Sequence, residues 1–138
     1  MIRKILVAYD DSELAERVLA QAIEIARLAK AEIAVVAVAA APMVGDDVEA
    51  EAIIENSRES YEKRFAALKT NRGTKGLKLQ FAVLVGHPAQ HIVDYAKQTN
   101  VDLIVVGHRS RKLVGRLVMG SVARHMIDHA HCAVLVVH

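Results

Sequence analysis

Short apolar runs alternate with amphipathic stretches along almost the whole chain. Residues 5–9, 33–38 and 103–106 are apolar throughout, which is typical of strands that are buried on both faces of a sheet. Residues 77–85 alternate between apolar and more polar side chains, so the early half of this strand is expected to have one exposed face. Residues 133–137 complete the set of predicted strands.

The segments between these strands carry apolar residues at helical spacing. Ser12 is expected to be the N-cap of the first helix, with Glu13 in its first turn. Pro88 suits the first position of the third helix, because proline tolerates a missing N–H there. The predicted helices cover about residues 12–30, 46–68, 88–100 and 121–129.

The alternation of strands and helices predicts an α/β fold with an open, five-stranded parallel sheet and helices on both faces. Right-handed crossovers make 3-2-1-4-5 the simplest strand order, in one domain of residues 1–138. Ligands of such sheets bind at the carboxyl ends of the strands where the winding reverses, here between strands one and four. Strand one ends at Asp10 and strand four at Gly107, so these residues mark the predicted ligand crevice.

The loop after the fourth strand has the features of an anion site. It leaves the strand on Gly107 and enters the fourth helix on Gly120 and Ser121. The free N–H groups and the dipole of a helix favour negative charge at such a start. A solvated surface loop whose bases face water is the alternative interpretation. Between residues 103 and 127 there is no acid, and the bases are Arg109, Arg111, Lys112, Arg116 and Arg124.

Composition narrows the range of functions. The 138 residues are 53% hydrophobic with a net charge of +2, which excludes a disordered chain and does not favour nucleic acid as a partner. With no Trp, three Tyr and two Phe, a platform that stacks single-stranded bases is not expected. Cys132 is the single cysteine and allows no internal disulfide. No apolar run reaches the ~20 residues of a membrane span and no signal peptide is visible, so a cytoplasmic protein without a membrane partner is expected.

No catalytic or metal-binding set is evident in the sequence. His87 and His91 are four residues apart, as are His125 and His129, but neither pair has an acidic or cysteine partner for a metal ion. The chain has neither the Gly-x-Ser-x-Gly turn of a hydrolase nor the Gly-x4-Gly-Lys-Ser/Thr loop of a nucleoside triphosphatase. An efficient phosphoryl-transfer enzyme is therefore not expected.

Four segments together resemble the universal stress protein family: residues 5–13 (ILVAYDDSE), 86–89 (GHPA), 107–122 and 132–137 (CAVLVV). The resemblance extends over the whole chain. The nucleotide-binding branch of that family has Gly, two residues, Gly, nine residues, and Gly followed by Ser or Thr. Gly107, Gly120 and Ser121 keep that spacing. Ser110 replaces the second glycine, and Asp11 stands where the family usually has glycine.

The resemblance implies an adenine nucleotide alpha-hydrolase-like fold that binds ATP or a related nucleotide (ADP or AMP), with Mg²⁺ as a candidate companion ion. It implies that Asp10 meets the ribose or the adenine. It also implies that the adenine is walled by Ala8, Tyr9 and Val38. The phosphates would meet Gly107, Ser110, Gly120, Ser121 and Val122. Arg109 would add charge-assisted hydrogen bonds to them if it turns inward, and the alternative is that it points to solvent.

The leading interpretation is a small regulatory module of the stress response that binds an adenine nucleotide, with at most slow hydrolysis. The alternatives are an interaction module of the branch that does not bind nucleotide, and a slow ATP-hydrolysing enzyme. Residues 133–137 lie at a sheet edge in the predicted order and contain no charge and no proline. Because nothing protects this edge from another chain, a homodimer through this strand is expected, and the resemblance implies the same assembly.

Overall fold

A computed structural model of the chain describes residues 1–40, 45–108, 111–113, 116–118 and 120–138. Within these ranges the elements are, in chain order, β1 Lys4–Ala8, α1 Ala15–Ala29, β2 Glu32–Ala39, α2 Asp47–Lys69, β3 Leu79–Val85, α3 Pro88–Gln98, β4 Leu103–Gly107, β5 Arg111–Leu113, β6 Arg116–Val118, α4 Ser121–His129 and β7 Ala133–Val137. A short 3₁₀ turn, Arg72–Thr74, separates α2 from β3.

Five parallel strands form the main sheet in the order β3-β2-β1-β4-β7. This confirms the predicted order, in which the fifth predicted strand is β7. β1 lies at the centre, where Val7 is opposite Val35 of β2 on one side and Val105 of β4 on the other. The chain winds from β1 through β2 to β3 and then crosses to β4 and β7, so the reversal lies between β1 and β4.

Helices cover both faces of the sheet because successive side chains of a strand point to opposite sides. Ile5 and Val7 of β1 belong to one apolar cluster together with residues of α1 and α2. Leu6 belongs to a second cluster, with residues of α3 and α4. All three β1 side chains are fully buried, as their uninterrupted apolar run predicts.

Asp102 fastens the start of β1 to the start of β4. Its Oδ2 accepts hydrogen bonds from the backbone N–H of Arg3 at 2.9 Å and of Lys4 at 3.0 Å, and its own N–H donates to the Lys4 carbonyl at 2.9 Å. The bonds from Arg3 and Lys4 stabilise the charged carboxylate and hold the pKa of Asp102 below its ordinary value. They join two central strands that are far apart in sequence.

Two local predictions are wrong. α1 begins at Ala15 with Leu14 in the N-cap position, rather than at Ser12. The Ser12 N–H and hydroxyl instead donate to Oδ1 of Asp10, which forms a turn before the helix. The region after β4, predicted as one long loop, contains the antiparallel pair of β5 and β6. Strands of three residues are too short to leave a periodic signal in a sequence.

Gly86 provides a test of backbone constraint at the end of β3. Its φ is +138°, and a Cβ at this position would lie 2.0 Å from Nε2 of His91. We expect Gly86→Ala to lower the free energy of unfolding by about 1–3 kcal/mol, because both the backbone conformation and the contact disfavour a side chain. Urea unfolding would measure the loss.

Gly76→Ala is the matched control, because Gly76 also has a positive φ, +83°, but a Cβ there would meet no atom within 4 Å. Its loss should be smaller. Adding His91→Ala to Gly86→Ala should restore the part of the unfolding free energy that is lost through the contact with His91. The part that is lost through the positive φ should remain. Equal losses for the two single glycine variants would contradict a contribution from His91.

Candidate functional site

A cleft of about 690 Å³ opens at the carboxyl ends of the strands. Its size lies within the roughly 300–1,000 Å³ of small-molecule sites. Its lining comes from the ends of β1, β2 and β4, from the starts of α1, α3 and α4, and from the middle of α2. The lining residues are Ala8, Tyr9, Asp10, Asp11, Ser12, Leu14, Val18, Val38, Ala40, Ser57, Tyr61, Pro88, Ile92, Val106, Gly107, Gly120, Ser121, Val122, Ala123 and Arg124.

Most of the sequence-predicted site residues lie in this one cleft: Ala8, Tyr9, Asp10, Val38, Gly107, Gly120, Ser121 and Val122. The remaining two, Arg109 and Ser110, lie outside the described residues, so their contribution stays a prediction. The cleft lies at the reversal between β1 and β4. Two lines of sequence reasoning, the glycine loop and the strand order, therefore lead to the same place in the structure.

The loop after β1 is held in a defined turn. The Tyr9 N–H donates to the Val36 carbonyl at 2.9 Å, which extends the pairing with β2 by one residue. Oδ1 of Asp10 accepts from the Ser12 N–H at 2.9 Å and from the Ser12 hydroxyl. The Asp10 carboxylate is thus oriented by its own turn at the edge of the cleft, and hydrogen-bond acceptors of this kind suit ribose hydroxyls or an amino group.

The Tyr9 side chain connects the cleft to the core beneath it. It is 4% exposed, and its hydroxyl donates to Oε1 of Glu16 in α1 at 2.7 Å. Its ring meets Tyr61 and Phe65 of α2 edge-on, at centroid distances of 6.4 and 5.4 Å. Burial, and then the Glu16 carboxylate, raise the pKa of Tyr9 to about 12, while nearby Arg64 acts in the opposite direction.

Gly107 has a structural reason for being glycine that sequence reasoning did not find. A Cβ on Gly107 would lie 3.2 Å from Cγ2 of Val18 and 3.5 Å from Cβ of Leu14. Its missing side chain therefore lets the start of α1 approach the end of β4. Gly107, Val18 and Leu14 all line the cleft, so this close packing lies at its wall.

The start of α4 forms another side of the cleft. Gly120 is its N-cap, with φ −59° and ψ 147°, and no side-chain hydrogen bond caps the helix. Ser121 is the first helical residue. The first N–H groups of a helix have no acceptor within it. Those of Ser121, Val122 and Ala123 are in residues that line the cleft.

Arg124 adds positive charge to this side of the cleft. It is an exposed lining residue in the first turn of α4, a turn that contains no acid. A cation is unfavourable close to the positive end of a helix dipole unless an anion compensates it. The sequence pattern included Arg124 among the bases of the loop region but did not assign it to the site.

The middle of α2 contributes Ser57 and Tyr61, which the sequence analysis did not propose for the site. Tyr61 faces the core and is 8% exposed. Ser57 lies one helical turn before Tyr61 and so shares its face. The four-residue spacing of Ser57 and Tyr61 is visible in the sequence. It points to the site only when the position of α2 over the sheet is known.

The described residues contain neither a metal-binding cluster nor a membrane-spanning helix. Among them, no three His, Cys, Asp or Glu side chains are grouped so that they could hold a metal ion. No helix in the described ranges is long and apolar enough to cross a membrane.

A model of the universal stress protein family matches residues 1–138. This chain belongs to the universal stress protein family. A universal stress protein of Methanocaldococcus jannaschii is 34% identical to it over 140 residues, which are 99% of this chain and 82% of the relative.

Solved universal stress protein structures have the same α/β fold. The protein UspA of Lactobacillus plantarum is 25% identical with a TM-score of 0.78, and the match covers 99% of this chain and 97% of the other. A universal stress protein of Archaeoglobus fulgidus is 28% identical with a TM-score of 0.74, over 100% of this chain and 99% of the other.

More distant structures with the same fold contain adenine nucleotides. One from Archaeoglobus fulgidus is in complex with dAMP, at 24% identity, a TM-score of 0.63 and coverage of 100% and 98% of the two chains. One from Arabidopsis thaliana has AMP bound, at 18% identity, a TM-score of 0.62 and coverage of 98% and 90%.

The buried Tyr9 hydroxyl of this universal stress protein gives a prediction for alkaline pH. Because the fold favours the neutral phenol, the unfolded chain loses this proton first, near pH 10, and the folded chain only near pH 12. The free energy of unfolding should therefore fall as the pH rises from about 10 to about 12. Ultraviolet absorbance of tyrosinate in the folded protein should show a late ionisation step.

Tyr9→Phe should remove that late step and make the stability less dependent on pH in the same range. Tyr95→Phe in α3 is the control and should leave the step in place. A late step that persists in Tyr9→Phe would show that Tyr9 is not its source.

Proposed function

We propose that this protein binds an adenine nucleotide in the cleft at the carboxyl end of its sheet and acts as a nucleotide-dependent regulatory module of the stress response. The observation that carries the proposal is that Asp10 and the start of α4 line the same cleft, at the point where the winding of the sheet reverses. The adenine nucleotides bound by distant members of the family point to the same ligand class.

The start of α4 suits the phosphates. The N–H groups of its first turn and its dipole favour negative charge, and Arg124 places a guanidinium at the same side of the cleft. Gly120 has backbone angles that any residue adopts, so the backbone conformation does not require glycine here. Its lack of a side chain instead leaves room for a phosphate to approach the N–H groups at the start of α4. A phosphate group at this position would compensate the unfavourable placement of Arg124.

The ends of β1 and β2 suit the nucleoside. Asp10 offers a carboxylate to ribose hydroxyls or to the adenine amino group. Ala8 and Val38 offer apolar surface, and Val38 is 8% exposed at the end of the second core cluster. The cleft thus has acceptors and apolar surface on the side of β1 and β2, and donors and positive charge on the side of α4.

The finer points of the proposal are a cytoplasmic location, ATP or a related adenine nucleotide (ADP or AMP) as the ligand, Mg²⁺ as a companion ion, and at most slow hydrolysis. Titrations of AMP, ADP and ATP, with and without Mg²⁺, would separate the ligands. The rival function is an interaction module without nucleotide, which is favoured by the serine at position 110, where the nucleotide-binding branch has glycine.

Calorimetric titration of the purified protein with AMP and ATP tests the leading proposal, after heat release and analysis of any nucleotide that co-purifies. We expect saturable binding, and we expect Gly120→Val to weaken it by at least about tenfold, or ~1.4 kcal/mol, because a branched side chain obstructs the phosphate side. Because Gly120 is the N-cap of α4 and valine is a poorer N-cap than glycine, a small loss of thermal stability is expected, and binding is measured well below the melting temperature of the variant. Gly73→Ala, at the opposite end of the sheet, is the control. Absence of binding at millimolar nucleotide would refute the proposal.

Ser110→Gly separates the leading proposal from its rival. If the parent protein already binds nucleotide, restoring the family glycine should change the affinity only modestly, by about tenfold or less, the equivalent of ~1.4 kcal/mol. If the parent is an interaction module without nucleotide, the same change should create binding or strengthen it greatly. The affinity of parent and variant for ATP decides between the two functions.

We also propose that the protein forms a homodimer through β7. This strand pairs with β4 on one side and lies at an edge of the sheet on the other. It carries no charge and no proline, and Val134 to Val137 are only half-buried. Pairing of this edge with a second copy would cover it.

Light scattering after size-exclusion chromatography should give twice the 15.1 kDa mass of one chain. The Val137 carbonyl accepts from the His108 N–H on the β4 side at 2.7 Å, so the neighbouring Val136 directs its N–H to the outer edge. Replacing Val136 with proline removes this outer donor and should shift the mass towards that of the monomer. A parent protein that stays monomeric at micromolar concentration would contradict the assembly.

A further inference from the structure

Ser57 and Tyr61 of α2 form a wall of the cleft that lies away from α4. α2 packs against β2 and β3, whereas α4 packs against α3 and β7. The cleft therefore extends from the α4 start, which suits an anion, towards the middle of α2. A ligand whose phosphate is held at α4 has its other end directed to the side where Ser57 and Tyr61 lie.

Tyr61 presents an aromatic ring that is already fixed. It is 8% exposed, and its ring lies 6.4 Å from that of Tyr9 and 6.3 Å from that of Phe65, measured between centroids. Because the ring is immobilised before any ligand binds, little side-chain freedom remains to be lost on binding. A fixed aromatic surface at the rim of a cleft is well suited to contact a planar ring.

Phe65 shows what a purely structural ring on this helix looks like. It lies one turn after Tyr61, is 3% exposed, and packs against Phe81 at a centroid distance of 5.0 Å. It belongs to the same aromatic cluster but is not a lining residue of the cleft. Tyr61 and Phe65 therefore share a packing role, and only Tyr61 combines it with access to the cleft.

We propose that Tyr61 contacts the nucleobase of a nucleotide bound in the cleft through its ring, that the Ser57 hydroxyl donates or accepts a hydrogen bond at the base or ribose, and that Tyr61 is thereby the residue that makes affinity depend on the base. This inference rests on the proposed function. It assigns to α2 a role in ligand selection that is separate from the phosphate side of the cleft.

The test uses AMP and ribose 5-phosphate, which lacks the base, as calorimetric probes of the full chain. Tyr61→Leu should weaken AMP binding by roughly ten- to hundredfold, as expected for the loss of one base–aromatic contact. It should leave the affinity for ribose 5-phosphate within about twofold of the parent, a difference of ~0.4 kcal/mol. Ser57→Ala should weaken AMP binding by about three- to tenfold, as expected for one hydrogen bond.

Phe65→Leu and Ser60→Ala are the matched controls. Phe65→Leu removes a ring from the same cluster and should lower the melting temperature about as much as Tyr61→Leu, yet leave AMP affinity unchanged. Ser60 is an exposed serine of α2 outside the cleft lining, so Ser60→Ala should have no effect on AMP affinity.

A second measurement does not depend on the stability of any variant. In the parent protein with labelled tyrosine, the ring resonances of Tyr61 should shift when AMP saturates the cleft, whereas those of Tyr95, which does not line the cleft, should stay.

Three results would each overturn the base contact while nucleotide binding stands. They are equal losses of AMP affinity in Tyr61→Leu and Phe65→Leu, equal losses of affinity for AMP and ribose 5-phosphate in Tyr61→Leu, and a Tyr61 resonance that does not move. A parent that binds neither probe overturns the proposed function and this inference together.

Discussion

The complete burial of β1 is the constraint on which the rest of the structure depends. Ile5, Leu6 and Val7 have no exposed surface, and each such side chain contributes about 1.5–3 kcal/mol when it leaves water. A strand that is covered on both faces and paired on both sides can place polar groups only at its ends. Asp10 therefore lies just beyond the carboxyl end of the sheet, where β1 and β4 separate and the chain reverses its direction of winding.

The main features of the fold were predictable because they follow from apolar runs that only a central parallel strand accommodates. The strand order is confirmed, and the strand and helix boundaries differ from prediction by at most three residues. The late start of α1 shows the limit of local rules, since Ser12 is a good helix cap but bonds to Asp10 instead. The β5–β6 pair escaped prediction because strands of three residues have no measurable periodicity.

The candidate site was predictable on its strand ends and at the start of α4, where glycine spacing and strand order both carry information. It was not predictable on α2. Within this helix only Tyr61 and Phe65 are buried, and most of its surface faces water. Its sequence therefore shows which side faces inwards but not how far the helix extends over the cleft. The contact of Gly107 with Val18 likewise depends on tertiary packing that no local pattern encodes.

The central position of β1 also has a consequence for how the chain folds as it is synthesised. During synthesis β2 follows soon after β1, but β4 begins only at Leu103. Until then β1 has a single neighbour, and the unpaired backbone groups on its other side form a temporary sheet edge that can associate with other chains. Such long-range pairing slows folding, because a large loop must close before it is stabilised. The strand that is paired on both sides in the finished molecule thus keeps one unpaired side until β4 has been made.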